Sequence, residues 1–225
     1  MTTARSLVIF DVEGTLVDST TLTTRCWQET LQSFGFGFPP ATLQRHSGQD
    51  GHDMLHALLP GRQVGRVVPR ILEAQGRRYR DAYLPRVAAF PEVRALFERV
   101  KRAGQLIALA TSASADELDH YLALTNTGDL VDAVACGEDV QHDKPNSALI
   151  KVVLLRAGGV MPKHAVMIGD TPYDAIAARR AGLAAIGMLS GGFSRPDLEA
   201  SGCIAVYRDP ADLLACFGET VRLQA

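Results

Sequence analysis

LVIFDVEGTLVDS, residues 7–19, decides the reading of this chain. Four apolar residues, Leu7 to Phe10, run straight into a carboxylate, Asp11, and Gly14 follows three positions later. An apolar run this short suits a strand buried on both faces, as in a parallel sheet. It is far too short for a signal-peptide core or a membrane span, which predicts a cytoplasmic protein. The glycine lets the chain turn sharply behind Asp11 with its amides free to face an anion.

Outward from this stretch the same grammar repeats. Leu106–Ala110, Ala133–Ala135, Ala165–Ile168, Ala184–Ile186 and Ile204–Val206 are further short apolar runs, separated by helical patterns. Alternation of this kind predicts an α/β fold with a parallel sheet and crossover helices. Pro91 is expected to open a helix with Val93, Leu96, Phe97 and Val100 on its apolar face, stopped by Gly104. Ser114 and Glu117 form a capping box ahead of Leu118, Tyr121 and Leu122. A helix over about 147–157 takes Asn146 as its cap, and another near Asp174–Ala181 stops at Gly182.

Residues 19–88 break the alternation and carry helical patterns only. Cys26, Trp27, Thr30, Leu31 and Phe34 line one helix; Met54, Leu55, Leu58 and Leu59 a second; Ile71, Leu72, Gln75, Tyr79 and Tyr83 a third. Pro39-Pro40, Pro60-Gly61 and Pro85 separate them. The expected organisation is a core made of 1–18 and 89–225 with a helical insertion, 19–88, over the strand ends.

The chain has 225 residues, enough for one such domain with an insertion, and 47% are apolar. A net charge of -2 gives no reason to expect nucleic acid or an anionic membrane as partner. The four cysteines, Cys26, Cys136, Cys203 and Cys216, show no metal-like spacing and sit in apolar stretches, so buried, reduced thiols are expected.

Four polar sites follow strands or open helices, where an open α/β sheet binds its ligands. Asp11 is a candidate nucleophile. Thr111 and Ser112 offer a hydroxyl and amides to phosphate oxygens. Lys144, in DKP, can neutralise charge on a phosphoryl group. Asp170 and Asp174, in GDTPYDA, offer with Asp11 the oxygen ligands that magnesium prefers. Each site alone also fits a helix cap or a solvated side chain; their joint occurrence in this order does not.

DVEGTLVDS, LATS, DKP and GDTPYDAIAARRAG resemble the four motifs of the haloacid dehalogenase superfamily, from Leu7 to about Gly187. The resemblance implies a Rossmann-like core with an α-helical cap, similar to phosphoglycolate phosphatases and β-phosphoglucomutases. It implies that Asp11 attacks a small phosphorylated metabolite, forming an aspartyl-phosphate that water hydrolyses. Mg2+ would be held by Asp11, Asp170 and the carbonyl of Glu13, with Asp174 orienting bound water, while Thr111, Ser112 and Lys144 grip the phosphoryl group. Arg45 or His46, in the stretch RHSGQDGHDML, would reach the substrate from the cap. A basic run, Arg77, Arg78 and Arg80, would favour a second anionic group if it faced the cleft.

One position departs from the pattern. Phosphatases of the superfamily usually carry aspartate two residues after the nucleophile, as acid and base, whereas this chain has Glu13. The carboxyl is kept on a stem one methylene longer, within a geometry that tolerates little displacement. Two alternatives follow from the resemblance: a sugar-phosphate mutase with the same motifs, or a binding homologue weakened by Glu13. A monomer or homodimer is expected.

Overall fold

The computed structural model describes residues 6–59, 64–140 and 144–220. Pro60-Gly61, read above as a break between helices, lies outside the described residues, as does Asp143 of the DKP motif.

Six parallel strands form the central sheet: β1 (Leu7–Phe10), β4 (Leu106–Ala110), β5 (Ala133–Ala135), β6 (Ala165–Gly169), β7 (Ala184–Met188) and β8 (Cys203–Tyr207). Their order is β5-β4-β1-β6-β7-β8. After β1 the chain builds outward through β4 and β5; from β6 it builds the other way, so a crevice opens between β1 and β6 at the carboxyl ends.

Alternate side chains of each strand feed two cores. Val8, Phe10, Ile107, Leu109, Val166 and Ile168 pack on one face with Val93, Leu96, Phe97 and Val100 of α5 (Val93–Arg102) and with Leu213 and Phe217 of α10 (Pro210–Thr220). The rings of Phe10 and Phe97 lie 4.8 Å apart there. Leu7, Ile9, Ala108, Ala110, Ala165 and Met167 face Leu149, Ile150 and Val153 of α7 (Ala148–Arg156) and Ala175, Ala177 and Ala178 of α8 (Pro172–Ala181). This period-two division is why the runs read as continuously apolar.

Helix ends follow the sequence in part. Ser114 and Glu117 make the full capping box of α6 (Ala115–Thr125), and Gly182 closes α8 in a left-handed conformation. The helix expected from Pro91 starts at Val93, with Glu92 as its N-cap at φ 64°. Ser147, not Asn146, occupies the N-cap of α7; the Asn146 side chain instead accepts from the amide of Ala148 at 3.0 Å.

The helical segment contains α1 (Thr20–Ser33), α2 (Pro40–Gln44), α3 (Gly51–Leu58) and α4 (Val64–Arg78), then a π-helical turn, Tyr79–Tyr83. Leu31, Leu43, Met54, Leu55, Leu59, Val68 and Ile71 give it a core of its own. At its two ends β2 (Val17–Asp18) and β3 (Ala88–Ala89) pair antiparallel. A last short helix, α9 (Arg195–Ser201), precedes β8.

The cysteines are free, as expected, but only Cys26 and Cys136 are buried; Cys203 and Cys216 are partly covered. Cys203 lies on β8, an edge strand whose Ile204 is itself exposed.

Candidate active site

Three carboxylates meet at the crevice. Asp11 leaves β1, its amide bonded to the carbonyl of Ile168 at 2.9 Å, and Asp170 leaves the neighbouring β6. Asp174 enters from the first turn of α8. Oxygens of all three lie within 4.8 Å of one another, and all three residues are buried.

The turn after β1 builds this geometry. Three successive amides, of Thr15, Leu16 and Val17, converge on the carbonyl of Val12, and the amide of Gly14 bonds back to Val17. Thr15 is thereby placed between the acids, its hydroxyl 3.0 Å from Asp170 Oδ1 and 3.3 Å from Asp11 Oδ2. Gly14 sits at φ 76°, and a side chain there would strike the Asp170 carboxylate. The same carboxylate presses against Gly191, which follows β7. Two glycines therefore let backbone close around Asp170.

Lys144 enters the cluster buried, its ammonium on Asp11 Oδ1 and 2.8 Å from Asp174 Oδ1. The other oxygen of Asp174 accepts from the amide and hydroxyl of Thr171 at 3.1 and 2.7 Å. Asp174 thus serves as helix cap and as anchor for the lysine at once; the two readings of this residue do not exclude each other.

One lysine does not balance three buried acids. Burial pushes the Asp11 carboxyl up against the pull of Lys144, with Asp174 adding to the rise. Asp170 is raised well above the ordinary carboxylate value by burial, then by Asp11 and Asp174. A buried, oxygen-only donor set with surplus negative charge fits a hard divalent cation.

Glu13 faces the cavity and is partly exposed to it. Its Oε2 accepts from the Thr111 hydroxyl at 3.0 Å, and Thr111 Oγ1 accepts in turn from the amide of Ala113 at 3.0 Å. Burial, Asp11 and Glu117 together push Glu13 up to about 8. Thr111 is fully buried at the end of β4, while Ser112 borders the cavity.

The acids open into a cavity of about 210 Å³ between the sheet and the helical segment. Among the described residues, four hydrogen bonds tie that segment to the sheet domain. Gln44 Nε2 donates to the Gly191 carbonyl at 2.6 Å, and the Asp50 amide to the Lys144 carbonyl at 3.3 Å. The Tyr173 hydroxyl donates to the Arg45 carbonyl at 3.1 Å, and Tyr79 and Tyr121 meet hydroxyl to hydroxyl at 2.8 Å.

Of the residues singled out on the segment, His46 borders the cavity and Arg45 does not. Arg45 is exposed, its guanidinium 3.4 Å from the Thr42 hydroxyl. The basic run also lies outside the cavity lining: Arg77 pairs with Glu73 at 2.6 Å and Arg78 with Glu29 at 3.6 Å. Sequence reasoning missed Ser19, Thr20, Thr23, Thr24, Trp27, Gln75 and Tyr79 as cavity residues. The signal was the spacing of hydroxyls at 19/20 and 23/24 with Trp27 next, one stripe along a helix.

The chain is 27% identical over 225 residues to phosphoglycolate phosphatase 1 of Pseudomonas aeruginosa, covering 96% of this chain and 81% of that one. It is 22% identical over 174 residues to pyrophosphatase PpaX of Oceanobacillus iheyensis, covering 77% and 78%. The crystal structure of a hydrolase from Pseudomonas syringae superposes with a TM-score of 0.82 at 27% identity, over 96% of this chain and 99% of that one. Residues 8–188 match the haloacid dehalogenase-like hydrolases as a family, across β1, the helical segment and the sheet through β7, and this chain belongs to that family.

Proposed function

We propose that the chain is a Mg2+-dependent phosphatase that hydrolyses a phosphate monoester of a small metabolite through an aspartyl-phosphate on Asp11. The observation that carries this reading is the meeting of Asp11, Asp170 and Asp174 beside the Lys144 ammonium at the crevice. The names of the relatives agree with it, as phosphatases and a pyrophosphatase.

The carboxylates of Asp11 and Asp170 and the carbonyl of Glu13 would hold Mg2+, with Asp174 beside them adding negative charge. The cation supplies charge neutralisation for the phosphoryl oxygens. Asp11 supplies the attacking carboxylate oxygen, held in place by the Ile168 carbonyl through its amide. Lys144 stays fixed between Asp11 and Asp174, where its charge offsets that of the transferring group. The amide of Ser112 receives a phosphoryl oxygen, while Thr111, expected from the sequence to do the same, is buried with its one proton on Glu13 and holds that acid instead.

Glu13 acts as general acid toward the leaving oxygen and then as base toward water. Its carboxyl faces the cavity, and the Thr111 hydroxyl fixes one of its oxygens. The longer side chain is thereby directed rather than free. Residues 19–88 act as the cap that closes over the ester and excludes water during transfer.

The test is hydrolysis of p-nitrophenyl phosphate with and without Mg2+, together with trapping of radiolabelled phosphate on the protein. Metal-dependent turnover and label, both abolished in Asp11→Asn, are expected. Turnover that survives Asp11→Asn sinks the reading.

A further inference from the structure

We propose that the leaving group is an uncharged, hydroxyl-bearing molecule of the polyol or monosaccharide class, and that the cavity selects against esters with a second anionic group. This rests on the phosphatase reading above and specifies what the site takes.

The wall facing the acids carries no arginine among the described residues that line it. Its single lysine, Lys144, belongs to the acidic cluster. The basic groups of the helical segment that would meet an anion are directed elsewhere. Arg77 and Arg78 are paired with glutamates, and Arg45 lies outside the lining. His46, which does line the cavity, is tied through Nδ1 to Gln49 Oε1 at 2.8 Å. Glu13 and Glu117 both border the space. A carboxylate or second phosphate on the leaving group would therefore meet acids without a dedicated cation.

What the wall offers instead is neutral hydrogen bonding around an aromatic ring. Thr20, Thr23, Thr24 and Gln75 line it beside Trp27; Thr24 gives its proton to Gln44 Oε1 at 3.1 Å and keeps its oxygen as an acceptor. Ser19 also borders the cavity, is 1% exposed, and its hydroxyl finds no protein partner among the described residues. A buried hydroxyl without a partner is costly, and a ligand hydroxyl or a bound water relieves it. Hydroxyls and a carboxamide both donate and accept, which matches a molecule whose own groups are hydroxyls. The indole gives a flat apolar surface for the carbon skeleton between them. Gly51 keeps room for that ring, since a Cβ there would come within 3.3 Å of it.

The experiment compares matched esters on the purified full chain with Mg2+: glycerol phosphate against phosphoglycerate, and sorbitol phosphate against phosphogluconate. The neutral member of each pair is expected to have the higher kcat/KM, by roughly tenfold or more, with most of the difference in KM. Gln75→Arg is expected to narrow the gap by lowering KM for the anionic member; Thr24→Lys replaces it if that variant misfolds. Equal or reversed preference overturns the proposal. Hydrolysis of p-nitrophenyl phosphate with no turnover of either pair overturns the substrate class and leaves the phosphatase intact. No turnover of any ester overturns both.

Discussion

Tyr79 and Tyr121 join hydroxyl to hydroxyl at 2.8 Å, the first from the π-helical turn that follows α4, the second from α6 of the sheet domain. Both rings are buried, and burial followed by the nearby Glu13 raises both phenols, so each stays protonated and each needs a partner. Tyr79→Phe is expected to cost about 1–3 kcal/mol, because the Tyr121 hydroxyl is left buried and unsatisfied, and Tyr121→Phe less, because Tyr79 also meets Thr23. The double variant is expected to cost less than the sum of the two. Urea unfolding of the four proteins measures the coupling; strict additivity would show that the pair acts as two separate groups.

The acid cluster gives a prediction in which activity and stability move in opposite directions. Asp170 lies against Asp11 and Asp174 with its carboxyl raised by burial and by both neighbours. Asp170→Asn is expected to raise or preserve Tm in chelator, since it removes one of three crowded charges, while abolishing hydrolysis. Wild-type protein is expected to gain about 2.7 kcal/mol at a Mg2+ concentration near 100 times Kd, and the variant nothing. Thermal unfolding with EDTA and with Mg2+ decides it, and an equal gain in both proteins would place the cation elsewhere.

Glu13 is held by Thr111 at 3.0 Å. Glu13→Gln keeps the shape and removes the proton donor, so turnover of an alkyl phosphate is expected to fall roughly 100- to 10,000-fold. Because Glu13 also serves as base toward water, the acid role is read in the first turnover alone: release of nitrophenolate, which needs no proton, is expected to lose much less than release of the alkyl alcohol. Equal losses in that first turnover would remove Glu13 from the acid role.

Away from the cavity, Asp139 sets a pH dependence. The Arg156 guanidinium meets both of its oxygens, at 2.7 and 2.6 Å, and the Cys136 amide bonds one of them, which holds the carboxyl down at about 2. A folded value below the ordinary 3.8 means that the stabilisation is complete above that value and is lost as pH falls toward 2. Arg156 is 47% exposed, so screening limits the effect to about 0.5 kcal/mol. Arg156→Ala is expected to lower Tm near neutral pH and to merge with wild type at the acid end; a constant difference across pH would rule out the ion pair as its source.

Some of this was open to reading from residues alone, and the reason is length and period. The four inner strands, β4, β1, β6 and β7, are buried on both faces, so each stands out as an apolar run, and edge strand β8 keeps an apolar run although Ile204 is exposed. β2 and β3 do not, because two residues such as Val17-Asp18 or Ala88-Ala89 carry no alternation at all. The acids were legible only together: each alone also suits a helix cap, as Asp174 in fact does, but four polar sites in this order at strand ends do not. The hydroxyl stripe of α1 was not, since serine and threonine near a helix start also suit a cap; yet Ser19, the N-cap residue, makes no side-chain capping bond. Arg77 drew notice as part of a basic run, although Glu73 four residues earlier already accounts for it. The π-helical turn has no signature in composition, and it places Tyr79 against Tyr121.

The paired ends of the helical segment, Val17-Asp18 beside Ala88-Ala89, make it a detour that leaves the sheet domain and rejoins it at one point. Its lengthening, shortening or exchange would leave the order of the six strands untouched. If the proposed function holds, a change in which alcohol is accepted can arise in that detour without moving the acids at the strand ends.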